Sequence, residues 1–115
     1  VAQADMLVIA APYWDMSFPA SLKIFFEAAS VEGITFTYAK DGTPVGLSAA
    51  DDMYYVTTSG GYIGDCNFGF EYASALCKLY GIQNTHFVSA QGLDLDGADV
   101  QAILEEACNG EIQHY

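Results

Sequence analysis

The feature that most constrains the fold is a run of six apolar residues, Met6-Leu7-Val8-Ile9-Ala10-Ala11, that stops at Pro12 and gives way to Tyr13-Trp14-Asp15-Met16-Ser17-Phe18-Pro19. A half-buried strand alternates polar and apolar positions. A run without alternation suits a strand covered on both faces, as in a parallel sheet flanked by helices. Pro12 has no N–H for a ladder and biases Ala11 toward extended backbone, so the chain is expected to leave the sheet there. Tyr13, Trp14 and Asp15 then lie just past a strand's carboxyl end, the edge at which open α/β sheets bind ligands.

The rest of the chain alternates helix and strand. Leu22, Phe25, Phe26 and Ala29 have the spacing of an amphipathic helix, with Ser17 and Pro19 as start residues and a stop near Gly33. Ile34-Thr35-Phe36-Thr37-Tyr38, the turn residues Asp41-Gly42 and Thr43-Pro44-Val45-Gly46-Leu47 predict a β-ribbon whose return limb Pro44 confines to an edge. Met53-Tyr54-Tyr55-Val56-Thr57-Thr58 reads as a second sheet strand that runs into Ser59-Gly60-Gly61-Tyr62-Ile63-Gly64-Asp65. Ala73, Leu76, Cys77 and Tyr80 predict another helix, closed by Gly81, and His86-Phe87-Val88-Ser89-Ala90 a third strand. Asp96 or Asp99 can cap a last helix with Val100, Ile103, Leu104 and Ala107 facing inward and Gly110 at its end; the tail from Glu111 is expected to fray. Helical crossovers imply parallel strands and right-handed connections, in one domain over residues 1–115.

Composition excludes several functions. With 52% hydrophobic residues in 115, the chain can bury a core. Fifteen acidic against 3 basic residues, a formal net charge of −12, exclude a phosphate-neutralising surface, so no nucleic acid and no anionic membrane is expected as a partner. No apolar run reaches transmembrane length and no signal segment opens the chain, which leads to the expectation of a soluble, cytoplasmic protein. Cys66, Cys77 and Cys108, an odd count without C-x-x-C spacing, read as reduced and mostly packed thiols. Asp94, Asp96 and Asp99 lack the spacing and terminal Glu of a calcium loop, so no metal is expected. Lys23 reads as a helix-surface residue, and the start at Val1, five residues before the first core strand, as a processed or incomplete N-terminus.

Neighbouring parallel strands place their carboxyl-end loops on one edge, so residues 12–16 and 59–62 are expected to converge on one ligand. Consecutive glycines let backbone N–H groups approach a ligand closely, and Tyr13, Trp14, Met16 and Tyr62 can face a flat aromatic body. The plain alternative is an ordinary tight turn at Gly60-Gly61 with a core-packed Trp14.

Ala10-Ala11-Pro12-Tyr13-Trp14-Asp15-Met16-Ser17-Phe18-Pro19-Ala20-Ser21-Leu22-Lys23, Gly33-Ile34-Thr35-Phe36-Thr37-Tyr38 with Gly46-Leu47, and Thr57-Thr58-Ser59-Gly60-Gly61 together resemble the flavodoxin-like FMN-dependent NADH azoreductases; the NAD(P)H quinone reductases are similar over the first stretch. The resemblance implies a homodimeric flavoenzyme in which FMN takes a hydride from NADH or NADPH and passes it to a quinone or azo acceptor, in a ping-pong cycle. It further implies that Pro12, Tyr13, Trp14, Asp15 and Met16 form a first flavin-binding loop and Ser59, Gly60, Gly61 and Tyr62 a second, with the ribbon reaching over a partner subunit's site. No residue of this chain is expected to act as a catalytic group. Two departures stand out: Asp15 and Met16 replace a common Asn and Phe, and nothing here matches the family's first strand, Ser-rich phosphate loop, and following helix and strand.

A flavodoxin-type sheet runs 2-1-3-4-5, and the three strands here match its last three, so the absent strand would lie beside residues 6–11. The implied fold is therefore a flavodoxin-like three-layer parallel sheet, C-terminal part, with a β-hairpin excursion. The 115 residues are expected to be this part of a longer reductase, or a truncated gene product, and by themselves to lack high-affinity FMN binding. The alternatives are a non-enzymatic flavodoxin-like remnant or interaction module, and an electron-transfer flavodoxin, which the acidity would suit.

Overall fold

A computed structural model describes residues 1–110 and 113–114 of the chain. The elements are β1 (Met6–Ala10), α1 (Ala20–Ala29), β2 (Phe36–Tyr38), β3 (Pro44–Gly46), β4 (Asp52–Thr58), α2 (Phe68–Leu79), β5 (Asn84–Ala90), α3 (Val100–Asn109) and β6 (Gln113–His114). The main sheet has the order β1-β4-β5-β6, its first two pairs parallel and the last antiparallel, while β2 and β3 form a separate antiparallel ribbon. The three parallel strands and their order are those expected; the short fourth strand is not. Gln113 and His114 pair with Phe87 and His86 where the tail was expected to fray, and Glu111, Ile112 and Tyr115 lie outside the described residues.

Register decides where the core sits. Ile9, Tyr55 and Phe87 are aligned across the three parallel strands, and with period-2 alternation Leu7, Met53 and Thr57 share their face. Helices α1 and α2 cover that face: Phe26 on α1 and Phe70, Ala73 and Cys77 on α2 are buried against it. Phe70 lies 5.1 Å from Phe87 and 5.8 Å from Tyr55 between ring centroids, and Phe26 meets Tyr72 of α2 at 6.0 Å. Each such large side chain contributes roughly 1.5–3 kcal/mol by leaving water.

The opposite face corrects the expectation of a strand covered on both sides. Met6 and Val8 are 53% and 59% exposed, and Ile9 is the buried residue of β1. Both α1 and α2 pack on the Ile9 side, α3 lies against β5 at the far side of the sheet, and β1 is an edge strand. Inward stripes are also narrower than their spacing implied. Phe25 is exposed while Phe26 is buried, and α3 has no buried residue, Val100 and Leu104 both being exposed. Of the thiols, only Cys77 is packed away; Cys66 is half-buried and Cys108 exposed.

Local chemistry sets the element ends. Pro19 precedes α1 with extended backbone and no side-chain cap, and Ser30 closes it with both its N–H and Oγ bonded to the Phe26 carbonyl. Asp99 caps α3 by accepting the Ala102 N–H at 3.1 Å. In the ribbon turn, Asp41 accepts the Thr43 N–H and Gly42 takes φ +88°. Gly46 then crosses Gly81 so closely that a Cβ on it would lie 2.1 Å from the Gly81 nitrogen, and Ser48 donates to the Tyr80 carbonyl beside it. This crossing fixes the ribbon to the end of α2, at the amino-end edge of the sheet.

Candidate functional site

At the carboxyl-end edge, hydrogen bonds join three loops. Ala11 N–H donates to Val56 O at 3.0 Å and Tyr13 N–H to Thr58 O at 3.1 Å, extending the β1–β4 ladder past Pro12 and setting the first loop beside the second. Ser59 N–H donates to Ala90 O at 2.9 Å, which brings in the loop after β5. All nine sequence-selected residues, Pro12, Tyr13, Trp14, Asp15, Met16, Ser59, Gly60, Gly61 and Tyr62, therefore lie on one edge.

The first loop is a two-residue hairpin turn. Trp14 and Ser17 exchange both backbone hydrogen bonds, and the central residues Asp15 and Met16 have φ of 51° and 66°. Two left-handed residues in succession mark a type I′ turn, which Asp tolerates and which costs Met about 1 kcal/mol or more. Two ties hold it there: Phe68 N–H at the start of α2 donates to Met16 O at 3.1 Å, and the Tyr13 hydroxyl donates to Cys66 O at 2.9 Å. Burial, with the Cys66 thiol as a smaller contributor, raises the Tyr13 phenol above its ordinary range. The turn leaves Trp14 and Met16 59% and 51% exposed, so the core-packed alternative for Trp14 does not hold.

The two glycines of the second loop have different tasks. A Cβ on Gly60 would lie 2.2 Å from an Asp94 carboxylate oxygen, whereas a Cβ on Gly61 would meet nothing within 4 Å. Gly60 is thus a packing glycine that admits Asp94, and Gly61 faces open space. Ser59 is buried, its hydroxyl donating to Gly61 O at 2.7 Å, so its side chain shapes the loop from within. Tyr62 is 77% exposed, with its ring beside Gly92. Among the described residues, the N–H groups of Asp15, Met16, Gly61 and Tyr62 have no protein acceptor. Exposed aromatic faces beside unpartnered N–H donors can take a flat, polar-rimmed ligand: the faces stack and the donors meet carbonyl or ring-nitrogen acceptors.

The loop after β5 was not anticipated. Gly92 and Asp94 N–H donate to Gly61 O and Gly60 O, at 3.1 and 2.9 Å, and Gln91 accepts the Ile63 N–H while donating to Ser89 Oγ. The available signal was positional: a third parallel strand delivers its following loop to the same edge. Lys23 lies on α1, paired with Glu27 at 3.0 Å, as its helix position suggested.

The chain matches the family model described as "Flavodoxin-like fold" over residues 1–113. It is 34% identical over 110 residues to the FMN-dependent NADH:quinone oxidoreductase of Coprothermobacter proteolyticus, covering 92% of this chain and 55% of that one. With the protein of the same name from Clostridium beijerinckii it shares 38% over 108 residues, covering 92% and 54%. The chain thus spans about half the length of the curated relatives it matches. The solved structure of an FMN-dependent NADH-azoreductase from Bacillus anthracis, in complex with FMN, superposes with a TM-score of 0.78 at 27% identity, covering 90% of this chain and 51% of that one.

Proposed function

The chain belongs to the flavodoxin-like fold family, and from that premise we propose that it is the C-terminal part of an FMN-dependent NADH oxidoreductase that reduces quinones or azo compounds. The observation that carries this reading is the paired loop edge: Trp14, Met16 and Tyr62 exposed beside the free N–H groups of Asp15, Met16, Gly61 and Tyr62. An isoalloxazine ring fits those features, because it is flat and carries carbonyl and nitrogen acceptors along one rim. FMN, when bound, supplies two-electron transfer between a nicotinamide and the acceptor. The relatives' names, which specify NADH, favour that donor over NADPH.

This chain's residues would bind and orient. The type I′ turn holds its donors and the Trp14 face in fixed relation to the second loop, and Gly61 keeps the approach open. Asp15 and Met16 would act through their main-chain N–H groups, so the change from Asn and Phe alters the side chains around the slot and leaves those donors in place. The FMN phosphate would be held by a segment preceding Val1, which would add a strand beside the free edge of β1 and cover Met6 and Val8. Residues 1–115 would then be one part of a single domain completed by that segment. For a quinone, one NADH and one proton give the hydroquinone; for an azo bond, two NADH and two protons give two amines.

A homodimer is part of this reading. Phe25, Val31 and Ile34 are exposed together around a groove of about 310 Å³ beside α1, an apolar surface suited to a second subunit. The ribbon, anchored at the amino-end edge, is placed away from its own chain's loops and free to serve a partner's site. A cytoplasmic location fits three free thiols and the absence, among the described residues, of a helix long and apolar enough to cross a membrane. The test is direct: the complete protein, purified and supplied with FMN, is expected to take up flavin stoichiometrically and oxidise NADH only when menadione or an azo dye is present. Absence of both flavin uptake and NADH oxidation would leave the non-enzymatic remnant as the better reading.

A further inference from the structure

We propose that Asp94 is a specificity-determining residue that biases the slot toward uncharged acceptors and against those carrying a sulfonate or carboxylate on the reducible ring system. The inference rests on the flavin-reductase reading and concerns which members of that acceptor class the site admits. Asp94 is held in place from two directions. Its N–H donates to Gly60 O at 2.9 Å, and its carboxylate fills the space left by the missing Cβ of Gly60, an oxygen lying 2.2 Å from where that atom would be. The negative charge is therefore fixed against the backbone of the loop whose next residue, Gly61, faces open space. Asp15, at the tip of the turn opposite, adds a second charge of the same sign.

No cation offsets them among the described residues. Asp94 makes no ion pair there, and none of the chain's three lysines is bonded to it. Lys23 is on α1, bonded to Glu27 and 5.4 Å from the centre of the Tyr72 ring; Lys40 belongs to the ribbon turn; Lys78 is in the last turn of α2, at the opposite edge of the sheet. An acceptor with a negative charge on its own ring that seats against this loop brings that charge toward Asp94 and Asp15, exposed carboxylates whose repulsion is modest and screened by salt. A neutral ring avoids this cost, and its carbonyl oxygens can still take the free N–H donors.

The test uses the complete, FMN-loaded protein with 1,4-naphthoquinone and its 2-sulfonate, reading the ratio of their kcat/KM values so that intrinsic differences between the quinones cancel between variants. Asp94→Asn, which keeps the shape and removes the charge, is expected to raise the sulfonate-to-parent ratio about threefold at low ionic strength, and the gain should shrink toward none near 0.5 M salt. Asp94→Glu should keep the wild-type ratio, and Glu105→Gln, one charge removed from α3, should leave it unmoved. An unchanged ratio in Asp94→Asn, or an equal shift in Glu105→Gln, would overturn the assignment. In either case normal reduction of the parent quinone keeps the flavin reading intact. Failure to reduce the parent quinone would overturn both.

Discussion

The Gly61→Ala substitution separates a flavin-binding loop from an ordinary turn, because the structure sets its two effects in opposite directions. A methyl group at this position meets nothing within 4 Å, and the backbone is outside the left-handed region. The fold therefore bears no steric cost, and the restricted unfolded chain gives a gain of about 0.4–1 kcal/mol, equivalent to a few degrees in Tm. For a ring seated against the second loop the same methyl is an obstacle. It displaces the ligand from the Gly61 and Tyr62 N–H donors, and loss of one or two hydrogen bonds with some contact costs about 1.4–2.8 kcal/mol, a ten- to hundredfold rise in Kd. Flavin fluorescence titration and thermal denaturation of the complete apoprotein read both quantities on one preparation. A variant with unchanged or higher Tm and a Kd raised tenfold or more is the expected result. A Kd within about twofold of wild type would show that the open side of Gly61 faces no ligand and refute the placement.

Four further expectations concern the scaffold. Gly46→Ala forces a methyl to 2.1 Å from the Gly81 nitrogen, so ribbon and α2 must part; with the Ser48 to Tyr80 and Leu47 to Thr35 backbone bonds at risk, a loss of about 2–3 kcal/mol is expected in urea unfolding. Thr57→Val removes a buried hydroxyl that has no partner among the described residues and should raise the urea midpoint by the equivalent of about 1 kcal/mol. Burial pushes both the Cys77 thiol and the Tyr55 phenol up to about 12, from ordinary values of 9.0 and 10.0. The folded chain keeps protons that the unfolded chain releases, so stability is full below about pH 9 and falls as pH rises toward 12; unfolding midpoints at pH 7, 9 and 10.5 should decline in that order. Native alkylation at pH 8 should label exposed Cys108 readily and spare Cys77.

The sequence by itself determined what depends on near neighbours in the chain. Asp41-Gly42 turned the ribbon, Asp99 capped α3 and Gly81 closed α2, each through a dihedral preference or a hydrogen bond reaching a few residues. The parallel order followed from helical crossovers, and the shared loop edge followed from that order. Tertiary structure decided what depends on distant partners. Whether Met6 and Val8 were covered depended on which face α1 and α2 chose, and an apolar run cannot announce its cover. Gly60 and Gly61 are indistinguishable as letters, yet Asp94, 34 positions after Gly60, makes the first a packing glycine and leaves the second open. Asp15 and Met16 gave no turn signal of the Asn-Gly kind, and their left-handed backbone is imposed by the ties from Phe68 and Tyr13. Hydrophobic periodicity and turn chemistry are local and survive in one dimension; close approach and exposure are properties of pairs far apart in sequence, and only the folded chain sets them.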